Sequence, residues 1–428
     1  MIRMRHAVVC LIFATLVSLV LYYHSTSASV TIRALQSKVP QIVGLGDYFD
    51  LEEQDVQNQS RPISPQNGDL HASNFSTDSA SSESLGTGVP TGGPRYTRNL
   101  VMARMKEENV SWLDGVDLGP DIKKFIYVAD DPNAPLHPAK NKGHEVMTYL
   151  TYIIDFYDDL PDVSIFMHAH QDAWHNNELL NWDAAEMIKR LSSERVQRQG
   201  YMNMRCHWKP GCPDWIHPGQ IERDKDKLEQ SFMASTWAEL FADKPIPAVL
   251  AQPCCSQFAV SRNQIRLTPR ETYKHYRDWL LRSDIFDVTS GRIFEYLWQV
   301  IFADRSVFCP SQRTCYCDGY GVCFETDKTF DKWFELRYQR QMAEKELREW
   351  KDKAEAIEKF RDKDGRLQGI ETGELQVPEI GKKEQLEALI EVKAAELERR
   401  RLEALERGRD PRIRAESDGR PWKDGDGF

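Results

Sequence analysis

The sequence has no surplus of positive charge. Its 428 residues include 56 lysines and arginines against 66 aspartates and glutamates, which gives a net charge of −10. A protein that binds nucleic acid needs a basic face to neutralise phosphates, and no segment of this chain forms one. The composition therefore argues against DNA or RNA as a partner.

The sequence also lacks the C-x2-C pairs that are typical of zinc ribbons. Of its nine cysteines, Cys10 lies in an apolar run near the amino terminus. The other eight form an even set within one segment, which predicts disulfides and an oxidising compartment. They are Cys206, Cys212, Cys254, Cys255, Cys309, Cys315, Cys317 and Cys323. Because eight cysteines allow about a hundred pairings, the sequence leaves the connectivity open.

Apolar residues are scarce between Ser25 and Pro94, where Ser, Gly, Asn and Gln prevail. Such a segment cannot bury enough apolar surface to fold, so residues 25–96 are predicted to be a flexible stem. Three N-x-S/T sequons lie in or just after it and predict a glycoprotein, at Asn58, Asn74 and Asn109.

The one long apolar run, Ala7–Tyr23, follows Arg3, Arg5 and His6. It predicts that residues 1–24 are a cytosolic tip and a single transmembrane anchor, with the rest of the chain in the lumen of the endoplasmic reticulum or Golgi. The alternative is a signal peptide cleaved near Ala28, which would give a secreted protein.

Residues 97–324 hold most of the aromatic and β-branched residues and are predicted to be one globular domain. Strand-like and helix-like segments alternate there, which predicts a Rossmann-like α/β domain with a mostly parallel sheet. The predicted strands are 124–129, 163–168, 246–251 and 257–261, and the predicted helices are 146–157, 272–281 and 292–302. Ligands of such sheets bind beyond the carboxyl ends of the strands.

The chain after residue 324 is rich in Lys, Arg, Glu and Ala. Residues 325–410 are predicted to be a charged helical tail, with helices near 330–360 and 382–407. These helices are either solvated or form a coiled coil through which the protein oligomerises. Residues 411–428 are predicted to be disordered.

The loop between the first predicted strand and its helix is a candidate binding site for a diphosphate. The helix amino terminus offers free N–H groups and the positive end of its dipole. The candidate residues are Asp130, Asp131, Asn141, Lys142, Gly143 and Glu145. The alternative is purely structural, with Asn141 capping the helix and Glu145 favouring its dipole.

The loop after the second predicted strand contains two histidines and an aspartate. Residues two apart share a face of an extended chain, so His168, His170 and Asp172 are predicted to point the same way. Two imidazoles and a carboxylate suit Mn²⁺ or Zn²⁺. The alternative is that these side chains pack or form hydrogen bonds within the loop.

Glu295 is the candidate acid or base. It lies among bulky apolar residues of a predicted helix, so partial burial is expected to raise its pKa and suit it to act as a base. The alternative is a structural ion pair with Arg292 or Arg262.

Several motifs in the same order make roughly residues 123–324 resemble a fungal family known as domain of unknown function 3431. They are Asn141–Glu145, Tyr149–Asp162, Trp174–Asn176, Gly211–Pro213, Cys254–Arg262, Ser290–Trp298 and Cys315–Cys317. This family implies no established activity. More distantly, the anchor, stem and α/β domain resemble nucleotide-sugar glycosyltransferases of the A-type fold, in which a D-x-D pair holds Mn²⁺.

The second resemblance implies transfer of a sugar from a nucleotide-sugar donor to a glycan, protein or lipid acceptor. On this interpretation the 130–145 loop binds the donor together with His175, the two histidines and Asp172 hold Mn²⁺ or the donor, Trp174 stacks on a sugar and Glu295 is the base. Two alternatives stay open. One is a metal-dependent hydrolase that uses the same histidines, and the other is a non-catalytic carbohydrate-binding or scaffolding protein.

Overall fold

A computed structural model describes residues 96–119, 121–220, 222, 224–361 and 376–428. The predicted membrane anchor, almost all of the predicted stem and the sequons at Asn58 and Asn74 lie outside these residues. In the described part of the chain, no helix is both long enough and apolar enough to span a bilayer.

Five strands form one sheet in the order β2-β1-β3-β5-β4. They are β1 (Arg98–Arg104), β2 (Ile122–Val128), β3 (Val163–His168), β4 (Tyr201–Asn203) and β5 (Phe258–Ser261). β1 pairs in parallel with β2 and β3, whereas β5 is antiparallel to β3 and β4. The α/β class is therefore confirmed, but the sheet is mixed and the prediction of a mostly parallel sheet is wrong.

The direction of β5 follows from the connection that precedes it. The chain leaves the sheet at the carboxyl end of β4 and makes a long excursion over residues 204–257. It re-enters the sheet as β5 at the same end, where Asn203 pairs with Phe258. A strand that begins where its neighbour ends must run antiparallel to it. The excursion contains a helix and several cysteines, and nothing in its local sequence indicates on which edge it finishes.

Twelve α-helices surround the sheet within the described residues. They are α1 (Glu145–Asp155), α2 (Ala184–Arg190), α3 (Ser193–Gln199), α4 (Gln230–Leu240), α5 (Arg262–Leu267), α6 (Arg270–Arg282), α7 (Asp287–Glu295), α8 (Trp298–Ala303), α9 (Gln312–Tyr320), α10 (Asp327–Lys359), α11 (Lys382–Arg407) and α12 (Pro411–Ser417). Short 3-10 turns occur at Ser111–Leu113 and Glu178–Leu180.

Hydrophobic cores lie on both faces of the sheet, because alternate side chains of a strand point to opposite faces. On β3, Phe166 belongs to one core with residues of α1, α6, α7 and α8, and Ile165 and Met167 belong to the other with residues of α2, α9 and α10. The domain thus has three layers. Helix α1 contacts both β1 and α6, which explains why every residue from Val146 to Ile154 is buried.

Most of the predicted elements exist, with two exceptions. Residues 246–251 are not a strand: Leu250 and Ala251 form only isolated bridges, and Pro247 has no N–H for a sheet. The predicted helix over 292–302 is two helices, since α7 ends at Glu295 and α8 begins at Trp298. β1 and β4 were not predicted from the sequence.

All eight cysteines of the domain form disulfides, which confirms that prediction. The pairs are Cys206–Cys315, Cys212–Cys309, Cys254–Cys255 and Cys317–Cys323. The first two join residues 109 and 97 positions apart and fasten the excursion after β4 to the region around α9. Disulfides that close such long loops restrict the unfolded chain most.

The two tail helices run antiparallel and pack on each other. The indole N–H of Trp333 donates to the Leu397 carbonyl at 2.9 Å, and Trp350 donates to the carbonyl of Glu379 at 2.8 Å. The apolar stripe of α11 therefore faces α10 of the same chain. Oligomerisation through the tail stays a prediction.

Residues 411–428 are ordered by contacts with the domain, in contrast to the expected disorder. Helix α12 packs on α9 and buries Ala415. Beyond it, Asp418 and Arg420 pair with Arg195 and Asp318, both of which are buried. These partners could not be predicted from the sequence because they lie more than a hundred positions away along the chain.

Candidate functional site

The loops predicted to function in binding or catalysis lie at one edge of the sheet, namely the edge formed by the carboxyl ends of β1, β2 and β3. β1, β2 and β3 are parallel, so Arg104, Val128 and His168 end together at this edge. β5 begins there, because Phe258 pairs with Phe166 in the antiparallel register. The edge therefore gathers the loop 129–144, the loop 169–177 and the segment 252–257.

Glu295 is brought to this edge by close packing of α7 on the start of α1. A Cβ added to Gly291 would lie 3.2 Å from His144 Cδ2 and 3.3 Å from the carbonyl oxygen of Gly143. Gly143 itself has a φ of +66°, and a Cβ there would lie 2.8 Å from a methyl group of Leu280. A larger residue at Gly291 would push α7 away from the start of α1, and with it Glu295, which lies one turn beyond Gly291. A larger residue at Gly143 would instead collide with Leu280 of α6.

The carboxyl group of Glu295 is poised to exchange a proton near neutral pH. Burial raises its pKa from 4.5 to about 7; the backbone N–H of Cys255 opposes this shift, and the negative charges of Glu145 and Glu229 add to it. The position at the carboxyl end of a helix also disfavours an anion. Part of the residue remains exposed, so a ligand can reach it.

The neighbours of Glu295 differ from the ion pairs that the sequence left open. Arg262 lies 3.1 Å from Asp162, and Arg292 lies 3.9 Å from Glu229. Arg292 is still near enough for its charge to lower the pKa of Glu295 slightly. The raised pKa expected from the sequence is found, whereas the catalytic role of Glu295 stays a prediction.

The shifted pKa predicts how stability depends on pH. A carboxyl whose folded pKa lies above its unfolded value stabilises the fold below about pH 4.5 and loses that contribution as the pH rises through about 7. Glu295→Gln removes the buried charge, so the variant should be more stable than wild type at pH 8 by roughly 2 kcal/mol and about equal to it at pH 5.

Denaturant titrations of the full chain at both pH values measure this difference. Glu271→Gln is the matched control, because Glu271 lies on the exposed side of α6, where its side chain is 78% exposed. That substitution should change stability equally at both pH values. A Glu295→Gln effect that does not vary with pH would contradict the shifted pKa.

The segment before β5 holds Glu295 through the main chain and side chains. The side-chain amide of Gln252 donates to the Glu295 carbonyl and accepts a 2.8 Å hydrogen bond from the Tyr201 hydroxyl. The N–H of Cys255 donates to the Glu295 carboxylate. Cys255 and Ser256 have φ values of +85° and +48°, a conformation that residues other than glycine rarely adopt and that is frequent at functional sites.

The three predicted metal ligands do not converge. His168 Nε2 donates to the Cys255 carbonyl at 2.7 Å, His170 Nε2 lies 3.6 Å from a carboxylate oxygen of Glu108, and the backbone of Asp172 pairs with Asp183. Their ligand atoms form no group within 4.8 Å of one another in the described chain. As placed, the residues do not fit an ion held by all three, and metal dependence stays a prediction.

Trp174 and His175 lie in the same loop, 169–177. The Arg205 guanidinium lies 5.2 Å from the centre of the Trp174 ring and donates to the Trp174 carbonyl. The His175 ring centre is 4.7 Å from that of His168. Burial, followed by the nearby charges, lowers the pKa of His175 well below its usual value, so this imidazole is neutral at pH 7.

In the loop between β2 and α1, the acidic residues have partners of their own. Asp130 accepts a 2.7 Å hydrogen bond from the backbone N–H of Lys106, and the side chain of Lys106 lies 3.1 Å from Asp131. A hydrogen bond from Asn133 and the charge of Lys106 hold the pKa of Asp131 below its usual value. Asp131 is therefore negatively charged at neutral pH, and its carboxylate could bind a cation or accept a hydrogen bond from a hydroxyl group.

At the end of the same loop, Lys142 is buried and donates to the carbonyls of Ser283 and Ile285 at 2.6 and 3.0 Å. Its ammonium group thus fastens the α6–α7 connection to the start of α1. The Asn141 side chain contacts the sulfur of Met105. Glu145 occupies the first turn of α1 and is close enough to Glu295 to raise its pKa.

Two glutamines and an asparagine complete the site and were not predicted. Gln252 contacts Glu295 and Tyr201, and Gln257 accepts from the His168 N–H at 3.3 Å and donates to Asn176 at 3.0 Å. All three are buried. The sequence signals were separate: Gln252 stands just before the Cys254–Arg262 motif, Gln257 begins the predicted strand 257–261, and Asn176 ends the Trp174–Asn176 motif.

The family described as "Protein of unknown function (DUF3431)" matches residues 100–318. The chain belongs to this family. The match covers the sheet from Leu100 onwards, the loops 129–144 and 169–177, the segment 252–257 and Glu295, so the site belongs to the part of the chain that defines the family. Comparison with the curated proteins and with the solved structures gave no match.

Proposed function

We propose that this protein is a lumen-facing, glycosyltransferase-like enzyme that moves a sugar from a nucleotide-sugar donor to a glycan, protein or lipid acceptor. The observation that supports this most is the position of Glu295. A partly exposed carboxyl with a pKa of about 7 lies at the edge of the sheet where ligands of α/β domains bind. A general base is most effective when its pKa is near the working pH.

In the proposed reaction, the Glu295 carboxylate takes the proton from an acceptor hydroxyl group. The acceptor oxygen then forms a bond to the anomeric carbon of the donor sugar, while the bond from that carbon to the diphosphate breaks. The N–H groups in the first turn of α1 receive the diphosphate at the positive end of the helix dipole. Glu145, near this end and near Glu295, is placed to accept from donor or acceptor hydroxyls.

The lumenal location is part of the proposal. Four disulfides within one domain are typical of an oxidising compartment. The apolar run Ala7–Tyr23 with basic residues before it supports a single-pass anchor in the endoplasmic reticulum or Golgi membrane. In the proposed location, glycans, secreted proteins and lipids are available to the site as acceptors.

The test is binding and turnover of nucleotide sugars by the full chain, purified in detergent. A panel of UDP-sugars and GDP-sugars is titrated by calorimetry, with and without Mn²⁺, and release of free nucleotide is then followed. At least one donor should bind with a Kd of about 1 mM or tighter. The proposal fails if no member of the panel binds or releases nucleotide under either condition.

A further inference from the structure

A disulfide joins two neighbouring residues, Cys254 and Cys255, next to the proposed base. Both sulfur atoms and a carboxylate oxygen of Glu295 lie within 4.8 Å of one another. No other disulfide in the described chain has a carboxyl or imidazole group in such a position relative to both sulfurs. As a disulfide the two cysteines have no thiolate with which to bind a metal, so another role must be sought.

The two cysteines differ in access to solvent. Cys254 is buried, with 2% of its surface exposed, whereas Cys255 is only half-buried. A thiol arriving from solvent therefore meets Cys255 first. Attack on Cys255 makes the buried Cys254 sulfur the leaving group, and a leaving thiolate in such surroundings needs a proton.

We propose that the Cys254–Cys255 disulfide is a thiol-exchange site for small thiols of the glutathione class, with Glu295 as its proton donor. The thiolate forms a bond to Cys255 Sγ, the bond between the two cysteines breaks, and its electron pair goes to Cys254 Sγ. That sulfur takes a proton from the Glu295 carboxyl. A second thiol attacks the outer sulfur of the mixed disulfide, which releases the Cys255 thiolate and an oxidised dimer of the small thiol.

The remaining disulfides lack this combination of features. Cys206–Cys315 and Cys317–Cys323 consist of buried residues. Cys212–Cys309 has one half-buried member, Cys309, but it closes a long loop and so stabilises the fold more than a bond between neighbours does. It is therefore the internal control for simple exposure.

Exchange at Cys255 also affects the position of Glu295 and His168. The Cys255 N–H donates to the carboxylate, and its carbonyl accepts from the His168 ring. Cys255 and Ser256 both have positive φ values. Opening the disulfide allows their backbone to relax, which loosens both hydrogen bonds. The exchange itself does not depend on sugar transfer and stands as a separate reaction.

The test treats the folded full chain with reduced glutathione and traps free thiols by alkylation, and mass spectrometry then locates them. Cys254 and Cys255 should become labelled at least about tenfold faster than Cys212 and Cys309, and Glu295→Gln should slow this labelling at least about tenfold below pH 7. The advantage of wild type should shrink above pH 7, where Glu295 loses its proton. Faster or equal labelling of the Cys212–Cys309 pair, or an unchanged rate in Glu295→Gln, would overturn the proposal.

A second pair of variants tests the direction of attack without altering Glu295. Cys254→Ser leaves Cys255 free, and it should form a mixed disulfide readily with oxidised glutathione. Cys255→Ser leaves only the buried Cys254, which should react at least about tenfold more slowly. Equal reaction of the two variants contradicts the assignment of Cys255. Because all these readouts are covalent, they keep their meaning even if no sugar donor is found.

Discussion

Glu295→Gln should lower the rate constant for sugar transfer by about 10²- to 10⁴-fold while the donor still binds. Glutamine keeps the shape of the side chain and its main-chain contacts with Gln252, but it cannot accept a proton from the acceptor. The donor diphosphate is proposed to contact the start of α1 instead. Steady-state kinetics with the donor found by calorimetry would measure both quantities, with the loss expected in kcat and little change in the donor Kd.

The pH profile separates a proton-transfer role from a structural one. Since the pKa of Glu295 is about 7, the wild-type kcat/KM should rise as the pH increases through 7, and the variant should lose that rise. Glu271→Gln, on the exposed side of α6, should leave rate and profile unchanged. If Glu295→Gln weakens donor binding and kcat together, with the pH profile preserved, Glu295 positions the loop and is not the base.

The raised pKa of Glu295 could be predicted from the sequence because the residues that bury its carboxyl are its neighbours along the chain. The acid stands in a helix whose neighbours Ile293, Phe294, Tyr296 and Trp298 are apolar, and all four are buried in the structure. Their burial desolvates the carboxyl, which is the first cause of its raised pKa. What the sequence could not supply is the partner on the other side, the N–H of Cys255, which arrives from the far end of a long excursion.

The metal triad failed to converge because the two-residue period holds only while the chain is extended. β3 ends at His168, so the chain turns before His170 and Asp172. His168 still lies at the end of β3, but its ring bonds to the main-chain carbonyl of Cys255, and the sequence does not predict that these two residues meet. The partners of Lys142 could not be predicted either. Its charge suggested phosphate binding, but its ammonium group donates to two backbone carbonyls that lie far along the chain.

The sheet order and the disulfide pairs were beyond reach for a related reason. β1 and β4 are short or flanked by charged residues, so their apolar patterns are weak. The pairs Cys206–Cys315 and Cys212–Cys309 depend on how the excursion after β4 folds back. In contrast, α11 was predicted with its observed bounds, because i,i+4 charge pairs along a single helix are a local property.

The second large effect is expected for Asp318→Ala, which should cost about 3–5 kcal/mol of folding free energy. Asp318 lies on α9 with 2% of its side chain exposed. It accepts hydrogen bonds from Arg195 at 2.6 Å, from Arg198 at 3.0 Å and from Arg420 at 2.9 Å. Removing the carboxylate leaves the Arg195 guanidinium buried with only Asp418 opposite it.

The pKa of Asp318 gives the sign of the pH effect. Burial by itself would raise this pKa, but the charges of Arg195 and Arg198 outweigh burial and lower it. A carboxyl with a lowered folded pKa contributes its full stabilisation above its unfolded value of 3.8 and loses it as the pH falls further. The cost of Asp318→Ala should therefore be complete at neutral pH and shrink in acid.

Denaturant titration of the full chain, with its disulfides intact, measures the cost. Asp158→Ala is the control, because Asp158 pairs with Arg270 while its own side chain is 84% exposed, so its loss should cost no more than about 1 kcal/mol. Asp318→Asn keeps the volume and one acceptor oxygen, and its comparison with alanine separates lost charge from lost packing. Equal costs for Asp318→Ala and Asp158→Ala would show that the buried network does not stabilise the fold.

The same substitution tests why the end of the chain is ordered. Arg420 binds the Asp318 carboxylate, Arg414 donates to the Asp318 carbonyl, and Arg198 donates to the carbonyl of Phe428. Without the carboxylate, Arg198 and Arg420 repel each other, which favours release of residues 418–428 from α9. Trypsin should then cleave after Lys423, within the released segment, much faster in Asp318→Ala than in wild type, although the disulfide-bonded domain stays intact.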